Sequence, residues 1–204
     1  DVERSRGLGD VYKRQPNLSV IRPADANETA QAWAAALEYK AAPKGLALSR
    51  QNLPVLDGTK EKAAEGVRRG AYVLVEASKE TPDVILLATG SEVQLAVEAA
   101  KQLEAEGTAT RVVSAPCLEW FDEQDASYRE SVLPSSVRAR VSVEAGISMP
   151  WHKYTGTFGR TVSLEHFGAS APAAELFEKF GFTADAVADA CLLYTSPSPR
   201  DLST

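Results

Sequence analysis

One short segment combines side chains that suit the binding of an anion. Arg50 lies in the run Ser-Arg-Gln-Asn, directly after an apolar stretch that predicts a strand. A guanidinium group offers several donors in a fixed fork, which matches the oxygens of a phosphate or a carboxylate. Arg50 is therefore predicted either to bind a ligand or to form a structural ion pair, and the residue type alone does not separate these alternatives.

Residues 89–92 form a second candidate, because they link a predicted buried strand to a predicted helix. Backbone N–H groups at the start of a helix can bind phosphate. The segment has only one glycine, Gly90, and Glu92 would place negative charge where the anion should lie, so neither a dinucleotide fingerprint nor a Walker loop is present. A capping box of Ser91 and Gln94 is the favoured interpretation.

The other reactive side chains are few and scattered. The histidines are His152 and His166 and the cysteines are Cys117 and Cys191, too few for a tetrahedral metal site at motif spacing. A nucleophilic Cys117–histidine pair stays open, although no third, orienting residue can be named. Structural roles are favoured for Cys117 and His166, and a surface or subunit contact for His152. No catalytic, cofactor-binding or metal-binding residue is predicted.

Carboxylates form the last group of candidates. Glu144 follows a predicted strand and would lie at the carboxyl edge of a sheet, but one carboxylate does not make an acid–base pair. Anchoring of a helix or loop is the favoured role for it. The last acidic residues to consider are Glu119, Asp122, Glu123 and Asp125. They are predicted to form a solvent-exposed face and to supply the negative charge that is favourable at helix N-termini.

Two α/β units must position these residues. The first is a strand at residues 18–23, a helix, and a strand at residues 45–50 that carries Arg50 to its carboxyl edge, where open α/β sheets bind ligands. Asn27 is the predicted N-cap of the helix. The helix residues that recur at helical spacing predict its buried face, and they are Ala30, Trp33, Ala34 and Leu37.

A second unit follows a polar stretch, residues 57–70, that is interpreted as a linker with at most one short helix. The second unit covers residues 71–190, and its alternating strands and helices predict a three-layer α/β fold with a mostly parallel sheet. The predicted strands are residues 71–76, 82–89, 111–114, 139–143 and 161–164, and the predicted helices begin near residues 91, 125 and 173.

Composition excludes several classes of protein. The 204 residues carry a formal net charge of −6, and no apolar run approaches the roughly 18 residues that a membrane span needs. An acidic chain without a dense Lys/Arg stripe is a poor candidate for binding nucleic acid. Two distant cysteines do not make a disulfide framework, which favours the reducing cytoplasm.

Both termini are predicted to be foreign to the protein. The peptide at residues 9–15 can be written in codons whose reverse complement, read one base later, encodes the peptide at residues 191–196. The two ends therefore match one DNA sequence read on opposite strands, and it resembles a sequencing-library adaptor. Residues 1–15 and 191–204 are interpreted as translated adaptor, and residues 191–204 are expected to have no packed structure.

Between these ends, residues 16–190 resemble the transketolase family in blocks that keep the family order. The blocks are VIRPADANE (20–28), LSRQNLP (48–54), RGAYVL (69–74), LATGSEV (87–93), YRESVLP (128–134), VEAG (143–146) and FGASAP (167–172). The resemblance implies that residues 16–56 are the closing part of the pyrimidine-binding domain and that residues 71–190 are the C-terminal domain.

The resemblance also implies an activity. Such enzymes are cytoplasmic homodimers that use thiamine diphosphate and a divalent metal, Mg²⁺ or Ca²⁺, to move a two-carbon ketol unit from a ketose phosphate to an aldose phosphate in the pentose phosphate pathway. Arg50 matches the family arginine that binds the phosphate of the sugar. The family motifs for the cofactor, the metal and the reacting carbonyl are missing from this chain, which is therefore expected to be an inactive fragment.

Two other readings stay open. A related thiamine diphosphate enzyme shares the C-terminal architecture, such as a deoxyxylulose phosphate synthase, a dihydroxyacetone synthase or the beta subunit of a 2-oxo acid dehydrogenase. The alternative of a different class is a non-catalytic association module. Residues 16–56 are expected to be poorly anchored in either case, because two strands and one helix do not complete a sheet.

Overall fold

A computed structural model describes residues 17–195, with side chains to residue 192, and these residues form two sheets. The smaller sheet pairs β1 (Ser19–Ile21) with β2 (Lys44–Leu46) in parallel. Helix α1 (Ala26–Glu38) connects them, which confirms the predicted strand–helix–strand order. Strand β2 ends four residues before Arg50, so Arg50 lies in the irregular segment that follows and not at the end of a strand as predicted.

The larger sheet confirms the predicted α/β class. It contains β3 (Tyr72–Val75), β4 (Val84–Ala88), β5 (Thr110–Ser114), β6 (Arg140–Val143) and β7 (Arg160–Val162). The order across the sheet is β3-β5-β4-β6-β7. The β3–β5 pair is antiparallel, and the pairs around β4 and β6 are parallel. The sheet is thus mostly parallel, with one antiparallel strand at its edge.

Helices cover both faces of this sheet, as predicted. On β4, Leu86 belongs to an apolar cluster with Ala96 of one helix, whereas its neighbour Leu87 belongs to a second cluster with Phe121 and Trp151. Successive residues of a strand point to opposite faces, so the two clusters form two separate core layers. The helices are α2 (Thr59–Arg69), α3 (Val93–Ala105), α4 (Leu118–Asp122), α5 (Ala126–Val132), α6 (His152–Thr155), α7 (Ala173–Lys179) and α8 (Ala184–Thr195).

The segment predicted as a polar linker, residues 57–70, contains one short helix, α2, whose 11 residues include a buried stripe that was not predicted. Ala63 and Val67, four residues apart, pack in one cluster with Ile21 and Ala32 of the first unit. This stripe is narrow and lies among charged residues, which is why the composition of the segment suggests a solvated linker. Helix α2 therefore fixes the first unit instead of separating it from the second.

The expectation that residues from 191 onward do not pack is also contradicted within the described range. Helix α8 continues to Thr195. Cys191 is fully buried and lies in the same cluster as Val187 and Leu103. Val187 and Cys191 are four residues apart, so both face the sheet from one side of the helix. No helix within residues 17–195 is both long and apolar enough to cross a bilayer.

Helix α1 presents the opposite face from the predicted one. Its N-cap is Asp25 and not Asn27, because the Asp25 carboxylate accepts a hydrogen bond from the backbone N–H of Glu28. Trp33 and Leu37 are 52% and 75% exposed, so the predicted apolar face points outward. The buried face consists of Glu28, Ala32 and Ala35.

Candidate functional site

The segment after β2 holds Arg50 on the surface. None of the residues from Lys44 to Val55 is buried, and the Arg50 side chain is exposed between half-buried neighbours. Both ends of the segment are tied to the first unit: the N–H of Ala47 donates to the carbonyl of Ile21, and the N–H of Leu56 donates to the Asp25 carboxylate, each at 2.9 Å. An exposed guanidinium on such a loop can meet a ligand phosphate from solvent.

Arg22 directly follows β1 and has a very different environment from that of Arg50. Its Nη2 is 2.9 Å from Oε2 of Glu92, and its Nη1 is 2.5 Å from Oε1 of Glu144. The Arg22 side chain is 17% exposed, and the two carboxylates are almost completely buried. Burial disfavours the charged guanidinium, but Glu92 and Glu144 outweigh that cost and raise the pKa of Arg22.

Glu144 is an anchor, as predicted, although its partner was not foreseen. Its second carboxylate oxygen accepts a hydrogen bond from Nε1 of Trp151 at 2.6 Å. Arg22 belongs to the first α/β unit, whereas Glu92 and Glu144 follow β4 and β6 of the second. The ion cluster therefore joins the two units at the carboxyl edge of the larger sheet.

The turn at residues 89–92 leads into α3, but it does not form the predicted capping box. Ser91 Oγ donates to the carboxylate of Glu92, and Nε2 of Gln94 donates to the carbonyl of Ser91, so neither side chain accepts from the helix backbone. The N–H of Gly90 donates to the carbonyl oxygen of Arg22 at 3.1 Å. The backbone donor expected to face a phosphate is thus already engaged by the other unit.

A third buried carboxylate, Glu28, joins the same two units. It accepts hydrogen bonds from the N–H of Ala24 at 2.7 Å, the hydroxyl of Tyr72 at 2.7 Å and the hydroxyl of Ser114 at 2.6 Å. Tyr72 and Ser114 are opposite each other in the β3–β5 pair. Burial raises the pKa of Glu28, although these three donors partly offset the effect.

These contacts contradict the predicted weak anchoring of residues 16–56 for the part that contains β1 and the start of α1. Ser19 Oγ accepts from Nε1 of Trp120 at 2.9 Å, in addition to the Arg22 and Glu28 networks. The number of strands does not predict this anchoring, because the anchoring comes from polar contacts with the second unit and not from completion of the smaller sheet. None of residues 44–55 is buried, and this part packs on the first unit through Leu46 and the Ala47–Ile21 hydrogen bond.

The acidic series is only partly a solvated face. Asp125 caps α5 by accepting from the N–H of Tyr128, as predicted for a charge at a helix start. Glu119, in contrast, accepts from the N–H of Val20, and Glu123 accepts from the hydroxyl of Tyr39. These two carboxylates face the first unit, which hides part of the predicted solvated surface.

The structure does not assemble a cysteine–histidine pair. Cys117 is buried, and its thiol donates to the Glu119 carboxylate. Burial raises the pKa of the Cys117 thiol, which is the opposite of what a nucleophile needs. His152 and His166 are exposed, and His166 packs edge-on against Phe180. Within residues 17–195, no three His, Cys, Asp or Glu side chains are grouped to hold a metal ion.

Comparison with family models divides the chain where the two units meet. Residues 70–183 match the transketolase-like C-terminal domain, and residues 7–55 match the transketolase pyrimidine-binding domain. The unmatched residues between them contain α2. The pyrimidine-domain match begins within residues 1–15, so the limits of the adaptor segments stay a prediction.

Curated relatives share more than half of their aligned residues with this chain. Transketolase of Staphylococcus aureus (strain MW2) is 54% identical over 182 residues, which is 89% of this chain and 27% of the relative. Transketolase of Mycobacterium tuberculosis (strain H37Rv) is 56% identical over 181 residues, which is 86% of this chain and 25% of the relative. The chain thus spans about a quarter of the length of these relatives.

Solved structures show the same similarity in three dimensions. A transketolase from Leishmania mexicana has a TM-score of 0.83 at 43% identity and covers 96% of this chain and 29% of its own. A Pichia stipitis transketolase in complex with sedoheptulose 7-phosphate has a TM-score of 0.81 at 42% identity, covering 90% and 26%. A split-gene relative, described as an inactive β4 tetramer, has a TM-score of 0.73 at 28% identity, covering 91% and 61%.

Proposed function

Because this chain belongs to the transketolase family, we propose that it is part of an enzyme that transfers a two-carbon ketol unit from a ketose phosphate to an aldose phosphate. The family models support residues 16–56 as part of the pyrimidine-binding domain, residues 57–70 as the connection and residues 71–190 as the C-terminal domain. The parent enzyme is proposed to be a cytoplasmic homodimer. The free thiol of Cys117 is compatible with a reducing compartment, and the tetrameric split-gene relative supports self-association.

Arg50 is the residue of this chain that we propose to bind substrate. The observation that carries the proposal is an exposed guanidinium, within the Ser-Arg-Gln block, on a loop whose two ends are tied to buried parts of the first unit. A permanently charged fork is suited to a phosphate dianion. Anchoring the remote phosphate supplies binding energy that can orient the reacting end of the sugar.

The described residues do not fit the cofactor or its metal. No three acidic, histidine or cysteine side chains within residues 17–195 are grouped as metal ligands. The buried carboxylates Glu28, Glu92 and Glu144 are already engaged by donors of this chain. We therefore propose that thiamine diphosphate and the divalent metal bind to the parent enzyme through other segments, and that the isolated chain neither binds the cofactor nor turns over sugar phosphates. Heat released on titrating the chain with thiamine diphosphate and Mg²⁺ would contradict this.

Substitution of Arg50 in the parent enzyme tests its role. Charge-assisted hydrogen bonds contribute about 1.5–3 kcal/mol, so Arg50→Ala should raise KM for a ketose phosphate by roughly 10- to 100-fold. Turnover of the same ketose without its phosphate should stay unchanged, because that substrate never uses the guanidinium. Arg68→Ala is the matched control, since Arg68 is an exposed arginine that pairs with Glu38. An unchanged KM for the phosphorylated donor would reject the assignment.

A further inference from the structure

The larger sheet has a topological switch point at β4, where the order in which strands are added reverses. From β4 the chain crosses to β5 on one side, and after β5 it returns to β6 on the other side of β4. In open α/β sheets, ligands bind at the carboxyl ends of strands at such a switch point. Here that position is lined by Gly90, which follows β4 closely, and by Glu92 and Glu144. We call these three residues the switch-point crevice.

We propose that the switch-point crevice is a guanidinium-binding site and that Arg22 fills it as a ligand supplied by the chain itself. One edge of the Arg22 guanidinium meets Glu92 at 2.9 Å, and the other edge meets Glu144 at 2.5 Å. A lysine ammonium is a single compact charge, so it does not reproduce this division between two carboxylates.

The two carboxylates are oriented by neutral donors independently of Arg22. The hydroxyl of Ser91 donates to Oε1 of Glu92 at 2.6 Å, which leaves Oε2 for the guanidinium. The indole of Trp151 donates to Oε2 of Glu144 at 2.6 Å, which leaves Oε1. Each carboxylate therefore presents one oxygen toward the crevice, as expected of a prearranged site.

Burial makes a bound cation necessary. The side chains of Glu92 and Glu144 are 0% and 3% exposed, and carboxylates so deeply buried are costly unless they are paired. One guanidinium between them leaves a net charge of −1 in place of −2. The crevice is open to solvent at the Arg22 side chain, which is 17% exposed, so a small cation can enter if that side chain is removed.

Gly90 lies close against the Arg22 guanidinium. A Cβ atom at Gly90 would lie 3.0 Å from Nη2 and 3.1 Å from Cζ of Arg22, so glycine gives the guanidinium its space. The Arg22 backbone is held at the same point, because its N–H donates to the carbonyl of Pro116 at 2.8 Å and its carbonyl accepts from the N–H of Gly90. The arginine thus fixes the position of the first unit on the second.

Chemical rescue of the 204-residue chain tests the proposal. Arg22→Ala removes the side-chain atoms beyond Cβ, which correspond to an ethylguanidinium ion. The substitution leaves the two carboxylates without their cation. Breaking a buried pair is strongly destabilising, so the melting midpoint should fall by roughly 10 °C. Ethylguanidinium at millimolar concentration should then raise the midpoint of this variant saturably, while equal concentrations of ethylammonium or potassium chloride do not. Arg68→Ala, which removes an exposed guanidinium, is the control and should show no rescue.

Several results would overturn the proposal of a guanidinium-binding site. Equal rescue by ethylammonium, or a stability of Arg22→Lys equal to that of the unchanged chain, would show a general cation site and overturn the guanidinium assignment. An absence of saturable rescue would overturn it as well. If Arg22→Ala does not fold alone, refolding yield replaces the midpoint: recovery with ethylguanidinium but not with ethylammonium supports the proposal, and no selective recovery rejects it.

Discussion

Replacing Glu28 by alanine should strongly destabilise the chain, because Glu28 accepts hydrogen bonds from three donors that belong to both units. These donors are the N–H of Ala24 and the hydroxyls of Tyr72 and Ser114, at 2.6 to 2.7 Å. A buried donor without a partner costs about 1–3 kcal/mol. The hydroxyls can rotate, and the cost of burying the carboxylate disappears, so the net loss in free energy of unfolding should be about 3 kcal/mol.

The expected loss is large enough to measure by thermal denaturation followed by circular dichroism. At about 2–4 °C per kcal/mol for a chain of this length, the midpoint should fall by about 6–12 °C. Glu38→Ala is the matched control on the same helix, since Glu38 is exposed and its pair with Arg68 is of a kind that contributes little. A shift for Glu28→Ala no larger than that for Glu38→Ala would refute the reasoning that the Glu28 network joins the two units.

Three further outcomes are expected. Folding raises the pKa of Glu28, so as pH rises the unfolded chain loses the Glu28 proton before the folded chain does. The free energy of unfolding should therefore decline as pH rises from the ordinary pKa of glutamate to the raised pKa of Glu28 in the folded chain. Glu28→Gln should flatten that decline in urea unfolding at a series of pH values, and an unchanged pH slope would contradict it. Gly107→Ala should lower the free energy of unfolding by about 1–2 kcal/mol, because only the positive φ of Gly107 opposes a side chain. Gly70→Ala should lower it by at least about 1–3 kcal/mol more, because the added Cβ would collide with the backbone of Cys117 and Phe121. Equal melting midpoints of the two variants would argue against this packing. The double substitution Trp33→Gln and Leu37→Gln should change the free energy of unfolding by no more than about 0.5 kcal/mol per site, because both side chains are exposed. It should also lower aggregation, because it removes exposed apolar surface. A fall in melting midpoint comparable to that of Glu28→Ala would contradict the observed orientation of α1.

The larger sheet could be predicted because its strands carry their own signal. Residues Val84 to Ala88 are all apolar, and all five are buried in the central strand. The inward face of α3 was equally visible, since Val93, Ala96 and Leu103 recur at helical spacing and are buried. In these elements, hydrophobicity and burial coincide, so the pattern identifies the fold correctly.

Helix α1 could not be oriented in the same way. The apolar spacing places Trp33 on the buried face and gives no sign that Glu28 is buried, whereas the structure exposes Trp33 and buries Glu28. The reason is that Glu28 finds its three donors in the second unit and nearby backbone, contacts that no local spacing reveals. Exposed apolar residues on α1 are therefore the consequence of a polar network on its other face.

The arginines show the corresponding limit at the candidate site. Arg22 and Arg50 both follow short strands of the smaller sheet, and residue type does not distinguish them. Only the structure shows that Arg22 is paired with Glu92 and Glu144, whereas Arg50 lies exposed on its loop. The one available signal for Arg22 was the pair of acidic residues that follow β4 and β6, which lie at the same sheet edge.

We propose that this chain is part of an enzyme that transfers ketol groups. The proposal is tested most directly by an assay of the complete parent enzyme, purified with thiamine diphosphate and Mg²⁺, with a ketose phosphate donor and an aldose phosphate acceptor. We expect an acceptor product lengthened by two carbons, formed only when the cofactor is present. Release of carbon dioxide from a 2-oxo acid without ketol transfer, or no cofactor-dependent reaction at all, would contradict it.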